Sequence, residues 1–168
     1  MKTLLLMRHA KSDWGEAGLE DFERPLTSRG LEDAPRIGRA LAAAGVVPDR
    51  ILASPARRAK ETAERVAKGC GFAGSIHWED SLYDAPGSAW LEAARGIAAK
   101  AEVALIVAHS PGIAEAAATI LGGKARLRFP TGSVACLDLD LEKWSDLLGG
   151  AGELRWLLIP RLVKALGV

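Results

Sequence analysis

Glu102-Val103-Ala104-Leu105-Ile106-Val107-Ala108, followed at once by His109-Ser110-Pro111-Gly112, is an apolar run of strand length that ends in polar, chemically capable residues. It shows no polar alternation, so both faces of the strand are covered, as at the centre of a parallel sheet with helices on either side. Outward from it the chain alternates between strands and helices. Thr3 to Met7 and Arg50 to Ala53 read as further buried strands. Leu31, Ala34, Ile37, Leu41 and Ala44 mark a helical face closed by Gly45, and Ala59, Ala63, Val66 and Ala67 mark another that ends near Gly69. Pro35 inside the first of these predicts a kink or a later start. Ser54-Pro55 and Ser110-Pro111 read as helix entries, with serine as N-cap and proline at the first helical position. Ser75 to Trp78 reads as a short strand and Ala89 to Ala99 as a helix. Ser133 to Leu141 and Glu153 to Ile159 read as the last strands, turned by Gly149-Gly150-Ala151-Gly152. The pattern predicts an α/β fold, a single-domain three-layer α/β/α sandwich over residues 1–168 with a mostly parallel central sheet.

Composition narrows the function. The chain has 168 residues, 49% of them hydrophobic, which is enough for one core and too little for two ordinary domains. Lys and Arg number 22 against 21 Asp and Glu, a net charge of +1, so the broad basic surface of a nucleic-acid binder is excluded and any working positive charge is local. Cys70 and Cys136 stand in unlike contexts outside any CxxC pair, which gives neither a zinc site nor a disulfide framework. The apolar N-terminal run is broken by Arg8, His9 and Lys11, short of a signal core or a membrane span. The expectation is a cytoplasmic protein with no membrane or nucleic-acid partner.

Three strands end in the same kind of residue. Arg8-His9 follows the first, Ser54-Pro55-Ala56-Arg57-Arg58 the second, and His109-Ser110-Pro111 the third. Ligands bind at the carboxyl edge of parallel sheets, so parallel strands would bring His9, His109, Arg8 and Arg58 to one pocket. That set suits a phosphoryl group. Guanidinium forks onto two phosphate oxygens and stays charged, helix starts present free N–H groups, and an imidazole nitrogen can attack phosphorus or hold a proton. Taken singly, each of these residues is more simply a solvated turn or a helix face, and only their joint placement reverses that reading. His77, beside Trp78, reads as structural.

Other motifs are weaker. Ala108-His109-Ser110-Pro111-Gly112 lacks the leading glycine of a nucleophile elbow, and an N-cap role accounts for Ser110. Gly122-Gly123-Lys124-Ala125 ends in alanine where a P-loop needs Ser or Thr, and no HExxH or HxH pair offers a metal site.

Leu4-Leu5-Leu6-Met7-Arg8-His9-Ala10-Lys11-Ser12-Asp13-Trp14 resembles the Arg-His-Gly opening of the histidine phosphatase, or phosphoglycerate mutase-like, superfamily. Arg24-Pro25-Leu26-Thr27 with Arg29-Gly30, then Ser54-Pro55 with Arg58-Ala59 and Thr62-Ala63, then Val107-Ala108-His109 match its later blocks in order. The wording around His9 and the short chain resemble the small SixA-type group of phosphohistidine phosphatases. The resemblance implies a phosphoglycerate mutase-like fold, no metal or cofactor, and His9 as the nucleophile that becomes phosphohistidine. Arg8, Arg58 and His109 would hold the transferring phosphoryl. Ala10 replaces the usual glycine. Gly15 stands where mutases of the superfamily carry a phosphate-contacting asparagine, a contact that is either missing here or taken over by Ser12. The general acid of larger members aligns nearest to Asp84, which is equally well read as a solvated loop aspartate.

The function so implied is a metal-independent phosphatase acting in two displacements through His9, with phosphohistidine on a protein partner as substrate. The alternatives are a phosphatase for small phosphate monoesters and a non-catalytic phosphate-binding module of the same fold. Lys124, Arg126 and Arg128 form a basic strip whose ordinary reading is solvated surface.

Overall fold

The computed structural model describes residues 1–14 and 17–167, so Gly15 lies outside the described residues. Strands β1 (Lys2–Arg8), β2 (Arg50–Ala53), β3 (Ile76–Trp78), β4 (Val103–Ala108), β5 (Val134–Leu139) and β6 (Gly152–Leu158) form one sheet in the order β3-β2-β4-β1-β5-β6. β3, β2, β4 and β1 run parallel, while β5 and β6 return antiparallel along one edge. As the uninterrupted apolar run requires, β4 lies inside the sheet, paired on both sides with parallel neighbours.

Helices α1 (Ser28–Ala43), α2 (Arg57–Cys70), α3 (Gly87–Arg95), α4 (Gly112–Ile120) and α5 (Pro160–Ala165) complete the expected three layers. Successive strand residues point to opposite faces, which separates two cores. Leu5, Met7, Ile51, Leu105 and Val107 pack against Ala34, Ile37, Leu41 and Val66 of α1 and α2. Leu4, Leu6, Leu52, Ala104 and Ile106 pack against Trp90, Leu91, Ile113 and Ala117 of α3 and α4. Cys70 and Cys136 are buried free thiols on the first of these faces.

Local expectations need three corrections. α1 contains Pro35 and starts at Ser28, earlier than the proline predicted, because Thr27 caps it by accepting from the Gly30 amide at 3.1 Å. α2 starts at Arg57 with Ala56 at the cap position, and α4 starts at Gly112 with Pro111 there. Neither Ser54 nor Ser110 is therefore an N-cap, and the Ser110–Pro111 peptide is cis. α1 and α2 touch backbone to backbone where glycines permit it: a Cβ on Gly69 would stand 2.5 Å from the Pro35 carbonyl oxygen, and one on Gly38 would stand 2.4 Å from that of Val66.

Candidate active site

Parallel pairing brings the three strand ends together. The His9 amide donates to the Ala108 carbonyl at 3.0 Å, and the Ser54 amide donates to that of Val107 at 3.0 Å. His9 and His109 are both buried, with ring centroids 5.4 Å apart and planes tilted by 55°. Residues a hundred positions apart in sequence thus stand side by side at one edge of the sheet.

The hydrogen bonds of His9 fix its tautomer. Its Nδ1 lies 2.8 Å from the Ala10 carbonyl oxygen. A carbonyl only accepts, so Nδ1 carries the proton and Nε2 carries the lone pair. Burial is the main reason its pKa falls to about 3; the Ala10 contact opposes the fall, while His109, Arg58 and Arg8 add to it. For His109, burial first and the charge of Arg58 second lower the value to about 4. Both rings are neutral across the physiological range, and a neutral imidazole is a nucleophile.

Around them stand nitrogens without partners. Arg8 spends one terminal nitrogen on the Phe129 carbonyl, its Nη1 lying 2.8 Å away, yet its Nε is buried and unpaired. Arg58, buried in the first turn of α2, donates Nη1 to the Asp21 carbonyl at 2.6 Å and Nη2 to the Asp21 carboxylate at 3.0 Å, with Nε again unpaired. His109 Nδ1 is the third such atom. Buried polar groups in native proteins are nearly all satisfied, so two guanidinium Nε–H donors left unpaired beside His9, with the unpaired His109 Nδ1 next to them, suit an acceptor with several oxygens.

Five residues were missed or misread in the sequence. Ser54, fully buried, meets His109 Nε2 through its Oγ at 2.8 Å and accepts from the Ala56 amide at 3.3 Å. It holds the ring, and its burial keeps it from substrate. Ser110 is exposed and shares no such bond, so no serine-histidine nucleophile is assembled among the described residues. Thr62 accepts from the Ala10 amide at 3.0 Å and donates to the Arg58 carbonyl at 2.6 Å, tying the segment that carries His9 to α2. Asp21 lies outside every motif read in the sequence. Against partial burial that raises it, hydrogen bonds from Arg24, Tyr83 and Arg58 pull its carboxyl down to about 2. Tyr83 donates to that carboxylate at 2.9 Å and sets its ring edge-on to His109, centroids 5.7 Å apart.

The remaining expectations separate. Ser12 is buried, and its Oγ accepts from Arg24 Nη2 at 2.9 Å. Asp84 is exposed, follows Tyr83, and takes a left-handed backbone with φ of 47°. His77 is exposed beside Glu79 on the β3 edge, where both line a recess of about 470 Å³ that includes none of Arg8, His9, Arg58 and His109. Among the described residues no three His, Cys, Asp or Glu side chains gather to hold a metal. No helix among them is long and apolar enough to cross a membrane.

Residues 4–92 match the sequence model of the histidine phosphatase superfamily (branch 1). An uncharacterized chloroplastic protein of Arabidopsis thaliana is 30% identical over 166 residues, covering 94% of this chain and 75% of that protein. The phosphohistidine phosphatase SixA of Escherichia coli K12 is 27% identical over 170 residues, 96% of each chain. The solved structure of a putative phosphohistidine phosphatase SixA from Nakamurella multipartitia superposes with a TM-score of 0.82 at 27% identity, covering 95% of this chain and 96% of that one.

Proposed function

Because the chain belongs to the histidine phosphatase superfamily and is a phosphatase, we propose that His9 is its nucleophile and that its substrate is phosphohistidine on a protein partner. The observation that carries the reading is the set of unpaired buried nitrogens on Arg8, Arg58 and His109 beside a neutral His9. In the first displacement the His9 Nε2 lone pair attacks phosphorus in line. The P–N bond to the substrate imidazole breaks, and that ring, already protonated on its other nitrogen, leaves neutral. Phosphorylated His9 keeps its Nδ1 proton on the Ala10 carbonyl and is therefore a cationic, activated phosphoramidate. Water then attacks phosphorus, the electron pair returns to Nε2, and the proton of the water leaves with phosphate or to solvent. Arg8 and Arg58 offset charge on the transferring oxygens throughout, which is the dominant form of catalysis in phosphoryl transfer.

Ser12 keeps a supporting place in this reading: it orients Arg24, which with Arg58 holds Asp21. Asp84 is the carboxyl within one residue of Tyr83 at the pocket and would protonate an alkoxide, a leaving group that phosphohistidine does not produce. A cytoplasmic location belongs to the same reading, supported by the buried free thiols, and cell fractionation tests it. Quenching turnover of a radiolabelled phosphoryl donor in alkali tests the mechanism. A base-stable, acid-labile label on the wild type and none on His9→Ala is expected; full activity in His9→Ala would overturn it.

A further inference from the structure

Lys124, Arg126 and Arg128 lie on the segment between α4 and β5, and all three are exposed while Ala125 and Leu127 turn inward and Phe129 is buried. That is the alternation of an extended chain, which spaces the three cations over about 13 Å in one row. None of them forms an ion pair with a described residue, although Lys2, Arg24, Arg57, Arg58, Arg95 and Arg155 all do. The near end of the row is fastened to the pocket. The carbonyl of Phe129, directly after Arg128, accepts from Arg8 Nη1, and the Gly132 amide donates to the carbonyl of His9 at 2.9 Å.

We propose that this row is a docking rail for an acidic protein surface that flanks the phosphorylated residue of the substrate. The inference rests on the phosphoprotein reading above and adds how the partner is recognised. A small phosphate ester that fills the pocket is too short to reach the far end of the row. A net charge of +1 leaves no wider basic field for a nucleic acid, so three exposed cations in one row that ends beside Arg8 fit a local cluster of carboxylates. Interfacial charges of this exposed kind act on encounter and affinity, not on the chemical step.

The test compares two synthetic peptides of equal length, each with one phosphohistidine, one flanked by glutamates and the other by glutamines, with p-nitrophenyl phosphate as a small substrate. Wild-type protein is expected to favour the glutamate peptide about tenfold in kcat/KM, three exposed contacts of ordinary strength multiplied together, with the difference in KM. In Lys124→Glu/Arg126→Glu/Arg128→Glu the preference disappears or reverses while p-nitrophenyl phosphate turnover is unchanged, and 0.5 M NaCl erases it in the wild type. An equal preference in both proteins, or preferential salt-sensitive binding of duplex nucleic acid to the wild type, overturns the rail. Hydrolysis of p-nitrophenyl phosphate without hydrolysis of either phosphohistidine peptide overturns the substrate reading instead, and the same peptides bearing phosphotyrosine then read the rail.

Discussion

Lowering the pH from 7 to 5 is expected to cost the folded protein about 4 kcal/mol through two side chains, His9 and His109. In the native state their pKa values lie at about 3 and about 4, and in the unfolded chain both return to 6.5. Below pH 6.5 the unfolded chain therefore binds protons that the native state refuses. Stability rises with pH wherever the unfolded state holds more protons, so the contribution is complete above 6.5 and is lost progressively down to the native values. At pH 5 each ring lies 1.5 pH units below its unfolded pKa, which costs about 2 kcal/mol per histidine at 1.36 kcal/mol per unit. With a urea dependence of about 2 kcal/mol per molar, the pair lowers the unfolding midpoint by about 2 M. The assay is urea unfolding followed by circular dichroism at pH 7 and pH 5, on wild type and on His9→Gln/His109→Gln, in which neither position titrates. The double variant should lose about 2 M less of its midpoint on acidification. An equal loss in both proteins would refute the argument, since the rings would then be solvated or charged in the native state.

Three further outcomes follow from the same pocket. Ser54→Ala leaves His109 Nε2 without its partner, a loss of about 1–2 kcal/mol that should cut kcat/KM for p-nitrophenyl phosphate about tenfold, and Ser54→Thr should recover part of it. Asp84→Asn should leave phosphohistidine turnover within about twofold while lowering turnover of an alkyl phosphate by about tenfold or more, as expected of a general acid that only a poor leaving group needs. Incubation with EDTA should leave the rate unchanged, because no step of the proposed mechanism uses a metal; loss of activity restored by a divalent cation would count against it.

The fold was legible where burial leaves a continuous mark. β4 sits between two parallel partners with both faces covered, and its run of six apolar residues says as much. Arg8, His9, Arg58 and His109 were legible because short connections put them at strand ends that must converge. Ser54 was misread because Ser-Pro has a strong local meaning, whereas its actual partner is a histidine 55 positions away. A bond across that separation leaves no periodicity to read. Thr62 stood inside a recognised block, yet its bond to the amide of Ala10, 52 positions off, had no local trace. Asp21 lay in a polar loop without pattern and became visible only once Arg24, Arg58 and Tyr83 were seen to converge on its carboxylate.

The glycine contact between α1 and α2 gives the catalytic geometry a remote fulcrum. Gly69 lies eleven residues beyond Arg58 on α2, about 16 Å along the helix axis. A methyl group at Gly69 must push against the Pro35 carbonyl, and a rigid helix passes that displacement to its other end, where Arg58 holds Asp21 and Thr62 holds the backbone of Ala10. Variation at that crossing, far from either histidine, is therefore expected to lower stability and turnover together.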